Sequence, residues 1–189
     1  QDLIWRVRKE IGPPHAGRLQ ITASVSNFVP KAHTPFQWAA QDDPETFTEK
    51  HQYLKDRFRR IKGAHLQYHG SGSSAVEAVL ARGDRSLSRT IEAAWRKGAK
   101  FDGWREHFNY SIWMEAFDET GTDPRFYTGG AVAAGRCLPW QHLDSGVSEI
   151  FLRSEWDRAL AGVPTADCRS TCVACGVNGF MDCPMEGTL

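Results

Sequence analysis

Two periodicities organise the front of the chain. Leu3, Ile4, Val7 and Ile11 fall on one helical face, and Gly12-Pro13-Pro14 ends that helix. From Leu19 to Asn27 the period becomes two. Leu19, Ile21, Ala23 and Val25 alternate with Gln20, Thr22, Ser24 and Ser26, the signature of a strand with one polar face. After a loop rich in Pro, His and Phe, Asp43 as N-cap and Pro44 at the first helical position open a helix over 44–62. Its buried side carries Phe47, Leu54, Phe58 and Ile61. A second strand over 64–70 alternates Ala64, Leu66 and Tyr68 with His65, Gln67 and His69.

Strand, helix, strand predicts a parallel pair joined by a right-handed crossover, hence an α/β fold. Parallel strands covered on both faces are almost wholly apolar. These two keep a polar face, which an antiparallel sheet with one wet side would also show. The intervening helix favours the parallel pair, with the polar face lining the lumen of a partial (β/α) barrel. Thr22, Ser24, Ser26, Gln67 and His69 then point inward. Chemistry in such barrels sits at the C-terminal strand ends, which singles out Ser26, Asn27, the 29–38 loop and His69-Gly70.

Beyond the second strand the pattern is helical. Ser74-Ala75-Val76-Glu77 reads as a capping box, and Gly83 closes that helix, which accounts for "RGD" at 82–84 without an adhesion role. Leu87, Ile91, Ala94 and Trp95 mark a second helix, and Trp104, Phe108 and Ile112 a third that runs to about Thr120. "TGTDPRFYTGG" reads as a loop, and a last helix runs from Asp144 or Ser145 to Gly162. Trp95, Trp104, Trp113 and Trp156 are expected in the core. The chain thus divides into a strand–helix unit (1–72), a helical extension (73–162) and a Cys-rich tail (163–189).

Composition narrows the function classes. Hydrophobic residues make up 41% of the 189, with seven tryptophans, enough for a buried core. Lys+Arg and Asp+Glu both number 23, so no global field recruits nucleic acid or an anionic membrane. The basic run Lys55, Arg57, Arg59, Arg60 and Lys62 falls at a helix C-terminus, where cations complement the dipole. No apolar run approaches the roughly 18 residues of a membrane span, and no signal peptide is visible. A cytoplasmic location is expected. Beginning with Gln1, the chain is expected to be part of a longer protein.

Five cysteines in a reducing compartment point to metal rather than disulfides. Cys168, Cys172, Cys175 and Cys183 form C-x3-C-x2-C-x7-C, four thiols suited to tetrahedral zinc or to a [4Fe–4S] cluster. Cys137 stands apart and reads as a buried apolar residue.

The blocks "SVSNFVPKAHTPFQW" (24–38), "ARGDRSL" (81–87), "LPWQHLDSGVSEIFL" (138–152) and "DCRSTCVACGV" (167–177) resemble one family. It is an uncharacterised family of bacterial radical S-adenosylmethionine proteins that carry a cobalamin-binding domain ahead of the radical core. The resemblance covers nearly the whole chain, from the last barrel strands onward. Ala32 departs from it, standing where a second proline is expected. The resemblance implies that the cofactor-cleaving cysteine triad and the cobalamin domain lie upstream, so the tail cysteines form a separate, auxiliary site. It implies that Ser24, Ser26, Asn27 and His69 contact S-adenosylmethionine or substrate, and that the 29–38 loop, with His33 and Phe36, shapes the substrate entrance. The implied partner is the N-terminal part of the same protein, and this segment alone is expected to be inactive. The other reading is a non-catalytic zinc module docking RNA or a protein, for which only Arg169 and Phe180 stand near the cysteines.

Overall fold

The computed structural model describes residues 2–12, 19–130, 137–179 and 181–183. Pro13, Pro14 and Phe180 lie outside these. Helix α1 (Asp2–Ile11) buries Ile4 but leaves Leu3 and Ile11 exposed, so its apolar face is only partly covered. Strands β1 (Ile21–Val25) and β2 (Ala64–Tyr68) pair in parallel, in register from Ile21 opposite Ala64 to Val25 opposite Tyr68. Helix α2 (Pro44–Phe58) joins them, its N-cap Asp43 accepting from the Thr46 amide at 2.7 Å. This is the mixed α/β arrangement the alternation predicts, with a two-stranded parallel sheet among the described residues. Ile21, Ala23 and Val25 match Ala64, Leu66 and Tyr68 on the half-buried face, while Thr22, Ser24, His65 and Gln67 form an exposed polar face.

The helical part begins earlier than its sequence indicates. Helix α3 (Ser71–Arg82) is capped by Gly70, not opened at Ser74. Ser74 is buried one turn inside it, and Glu77 pairs instead with Lys31. Helix α4 is Ser88–Arg96, and α5 is Tyr110–Glu119, capped by Asn109. The residues around Trp104 form turns, and Trp95 and Trp104 are 58% and 59% exposed rather than core. The stretch read as a loop contains a short helix α6 (Pro124–Thr128), with Asp123 accepting from the Arg125 amide at 2.9 Å. The last helix, α7 (Glu149–Leu160), starts beyond Ser148, whose hydroxyl accepts from the Phe151 amide at 3.2 Å.

Two apolar clusters hold these elements. One packs Val76 and Val79 of α3 against Leu87, Ala94, Trp113 and Phe117. The other gathers Trp38, Leu138, Trp140 and Leu152, with Ala32 and Trp156 packed on it. It joins the 29–38 loop to the segment leading into α7. The Trp140 indole donates to Gln37 Oε1 at 2.8 Å, and the Arg153 guanidinium lies 4.5 Å over the Trp38 ring. Two sequence blocks more than a hundred residues apart therefore fold as one unit.

Candidate functional site

The C-terminal ends of β1 and β2 and the first turn of α3 open into a groove of about 1410 Å³. Ser24, Ser26, Gln67 and His69 line its strand side, and Val76, Phe108 and Trp113 give it an apolar wall. Period-two alternation places Ser24 directly opposite Gln67 on one face of the sheet. On the far wall the Trp113 indole donates to Asp102 Oδ2 at 3.0 Å, leaving the buried Oδ1 without a hydrogen-bond partner. Tyr110 stands over the start of α3. Burial pushes its hydroxyl pKa up, helped by the negative charge of Glu45. A Cβ on Gly72 would lie 2.8 Å from the Tyr110 ring, so only glycine lets the ring sit there.

Asn27 belongs beneath this groove rather than on it. Its side chain is buried, and the amide nitrogen donates to Ser74 Oγ at 2.9 Å and to the carbonyls of His69 and Gly70 at 3.2 and 3.4 Å. Its Oδ1 faces His51 Nε2 at 2.8 Å. His51 is the residue the sequence reading passed over. It sits on the buried side of α2, one turn after Phe47, with its ring 4.2 Å from the Tyr68 ring. Burial first, and the charge of Lys55 second, hold its pKa below the usual histidine value. The 47, 51, 54, 58 spacing was a signal that this histidine points inward.

His33 and Phe36 do not line the groove. His33 adopts a left-handed backbone conformation (φ 55°), and its amide donates to Gln37 Oε1 at 3.1 Å. Phe36 lies edge-on between Phe28 and Trp156, with centroids 5.9 and 5.4 Å away. The loop is thus braced on α7. Ser24, Ser26 and His69 share one wall, with Asn27 holding that wall from below.

The tail folds onto the start of α7. The Ser148 amide donates to the Cys175 carbonyl at 2.9 Å, and Ala174 and Gly176 flank that residue with φ of 54° and 97°. A Cβ on Gly176 would lie 3.1 Å from Ser148 Cβ, which accounts for a glycine at this contact. Cys172, Cys175 and Cys183 are half-buried, Cys168 is exposed, and all are free thiols. Among the described residues no three His, Cys, Asp or Glu side chains converge as a metal-holding group. Cys137 is exposed, not buried as its apolar surroundings predict.

Among the described residues no helix is long and apolar enough to cross a membrane. No family model matches the chain, and no match is found among curated proteins or solved structures.

Proposed function

We propose that this chain is the C-terminal segment of a cobalamin-associated radical S-adenosylmethionine enzyme, in which β1 and β2 close a partial (β/α) barrel. The observation that carries this reading is the parallel pair whose exposed polar face ends in a groove lined by Ser24, Ser26, Gln67 and His69. A parallel pair with one open polar face is what a barrel lumen requires of its closing strands. Hydroxyl, amide and imidazole groups at the strand ends suit the polar atoms of a nucleoside or an amino acid. The reducing chemistry comes from a cluster bound upstream, and the part of this chain is to bind and orient.

The four tail cysteines supply an auxiliary site. Their donor set fits zinc or a [4Fe–4S] cluster, and Cys172 and Cys175 already share the loop that Ser148 anchors. Binding then draws Cys168 and Cys183 in.

The test uses the full-length enzyme, reduced and reconstituted. Ser24→Ala and His69→Ala are each expected to slow S-adenosylmethionine cleavage about tenfold or more, the weight of one well-placed polar contact. Thr22→Ala, on the same face but outside the groove, should leave the rate unchanged. Equal effects at all three positions, or none, reject the reading.

A further inference from the structure

The groove at the strand ends has two unlike walls. Ser24, Ser26, Gln67 and His69 form the polar one, proposed to hold S-adenosylmethionine. The other is apolar, with Val76, Leu80, Phe108 and Trp113, and Asp102 stands among them. The volume of about 1410 Å³ exceeds the roughly 300–1,000 Å³ of a site for one small ligand. The groove therefore has room for a second molecule beside the cofactor, and the apolar wall decides its chemistry.

Asp102 lies in the turns (102–107) that join α4 to α5. Its Oδ2 accepts from the Trp113 indole at 3.0 Å, while Oδ1 is buried with no hydrogen-bond partner. The cations nearest in sequence do not compensate it. Lys97 pairs with Glu115 and Glu119, and Lys100 lies over the Trp95 ring. Arg105, which also lines the groove, is exposed to solvent and forms no ion pair with Asp102. The groove's other carboxylate, Glu77, is already paired with Lys31. Among the described residues Asp102 is thus the carboxylate on this wall whose charge is left unanswered.

A carboxylate shielded from water and given a single N–H is under-solvated, and a group in that state calls for a donor or an ion. The terminal torsion of an aspartate is soft, so a small swing turns Oδ1 toward a group seated in the groove. An ammonium answers both needs. It donates to an acceptor-only group, and charge-assisted hydrogen bonds are the strong ones. An anion placed there would meet the same carboxylate as a repulsion. Phe108 and Trp113 beside it favour an apolar body over a polar one.

We propose that the second occupant of the groove, and hence the substrate, is a small amine, with its ammonium against Asp102 and its apolar body along Phe108 and Trp113. This inference rests on the reading of the groove as a cofactor site and adds the class of substrate. The full chain, without S-adenosylmethionine, is titrated by calorimetry with phenethylamine, 2-phenylethanol, 3-phenylpropionate and a short peptide with one internal lysine. Phenethylamine should bind saturably, the alcohol at least about tenfold more weakly, and the carboxylate more weakly still. Asp102→Asn keeps the size of the side chain and an acceptor for the Trp113 proton. It should bring the amine down to the level of the alcohol, while the affinity for the alcohol, which reports an intact groove, stays within about twofold. Glu77→Gln should retain the preference for the amine, since that carboxylate sits in an exposed ion pair. An amine bound no more tightly than the alcohol, or a preference that survives Asp102→Asn, overturns the proposal. Tighter, Asp102-dependent binding of the lysine peptide than of phenethylamine overturns the small-molecule assignment. Ser24→Ala and His69→Ala test the opposite wall through S-adenosylmethionine cleavage, so the two readings fail separately.

Discussion

Asn27 and His51 meet inside the molecule, with His51 Nε2 2.8 Å from Asn27 Oδ1. The Asn27 amide nitrogen is committed to Ser74 Oγ and to the carbonyls of His69 and Gly70, so Oδ1 is the acceptor and the Nε2 proton the donor. One side chain thereby ties the end of β1 to the end of β2, the start of α3 and the middle of α2. Replacing Asn27 with Ala takes the partner from the His51 ring N–H and from the His69 carbonyl, while the Ser74 hydroxyl and the Gly70 carbonyl keep their bond to each other at 3.2 Å. The expected loss is roughly 2–3 kcal/mol of unfolding free energy, the penalty for leaving buried polar groups unpaired. Urea denaturation measures it, and a midpoint equal to the parent's would remove Asn27 from this role.

His51 should make stability depend on pH in one direction. Its folded pKa is held down by burial and by Lys55, with Asn27 and the Tyr68 and Phe47 rings as its other neighbours. Below the ordinary histidine value the unfolded chain takes up a proton that the folded chain resists, so acid favours unfolding. The contribution is fully present above about pH 6.5 and declines as the pH falls toward the lower folded value. Thermal midpoints recorded between those limits should fall with pH in the parent and stay flatter in His51→Gln. Parallel curves for the two proteins count against the assignment.

Gly83 is needed for space, not for a left-handed turn. Its backbone is extended (φ −76°, ψ 167°), yet a Cβ there would lie 1.9 Å from Leu87 Cδ1 and 2.9 Å from the Val79 carbonyl oxygen. Leu87 is buried in the helical cluster, so it has little room to withdraw. Gly83→Ala should cost about 1–3 kcal/mol through overpacking, read from the shift in the unfolding midpoint. If Ala instead stabilises, as it does at an open helix end, this close approach does not exist.

Trp140 fastens the 29–38 loop from the far end of the sequence. Removing its N–H in Trp140→Phe leaves buried Gln37 Oε1 with the His33 amide as its remaining donor. The expected loss is about 1–2 kcal/mol. Trp140→Ala, which also empties space beside Trp38, Leu138 and Leu152, should cost about 3–5 kcal/mol. Differential hydrogen exchange should place the loosening in residues 29–38 as well as around residue 140. Loosening confined to the latter would show that the two blocks are uncoupled.

What could be read from sequence tracks the range of the interaction that decides each feature. The strands and α2 rest on alternation and on the Asp43-Pro44 start, all local, and they form where expected. The start of α3 does not, because Ser74 and Glu77 mimic a capping box while their partners are Asn27 and Lys31, more than forty residues away. Helix α6 repeats the Asp-Pro start of α2 in a stretch whose glycines and threonines mask it. Helical spacing placed Trp113 inside but also promised Trp95 and Trp104, since period alone does not say how much of an apolar face a neighbour covers. Within the groove, Ser24, Ser26 and His69 were legible from strand phase. The turn of Asn27 into the interior was not, because it depends on His51 and Ser74.

The tail should bind metal without becoming a radical centre. Four thiols within one short segment gain more from a shared cation than from water, so one zinc or one iron–sulfur cluster per chain is expected after anaerobic purification. Cys172→Ser or Cys175→Ser should abolish it, with the absorption spectrum and metal analysis as readouts. Because the Ser148 amide donates to the Cys175 carbonyl, loading should also protect the start of α7 from hydrogen exchange. Cleaving S-adenosylmethionine asks for more: an iron left open by having only three cysteine ligands, facing the bound cofactor. In the proposed site Cys183 would provide a fourth ligand, and no described tail residue lines the groove where the cofactor is proposed to sit. Reduced, metal-loaded chain incubated with S-adenosylmethionine should therefore release no 5′-deoxyadenosine. Release that disappears in Cys172→Ala would make the tail itself the radical site and return the upstream cluster to question.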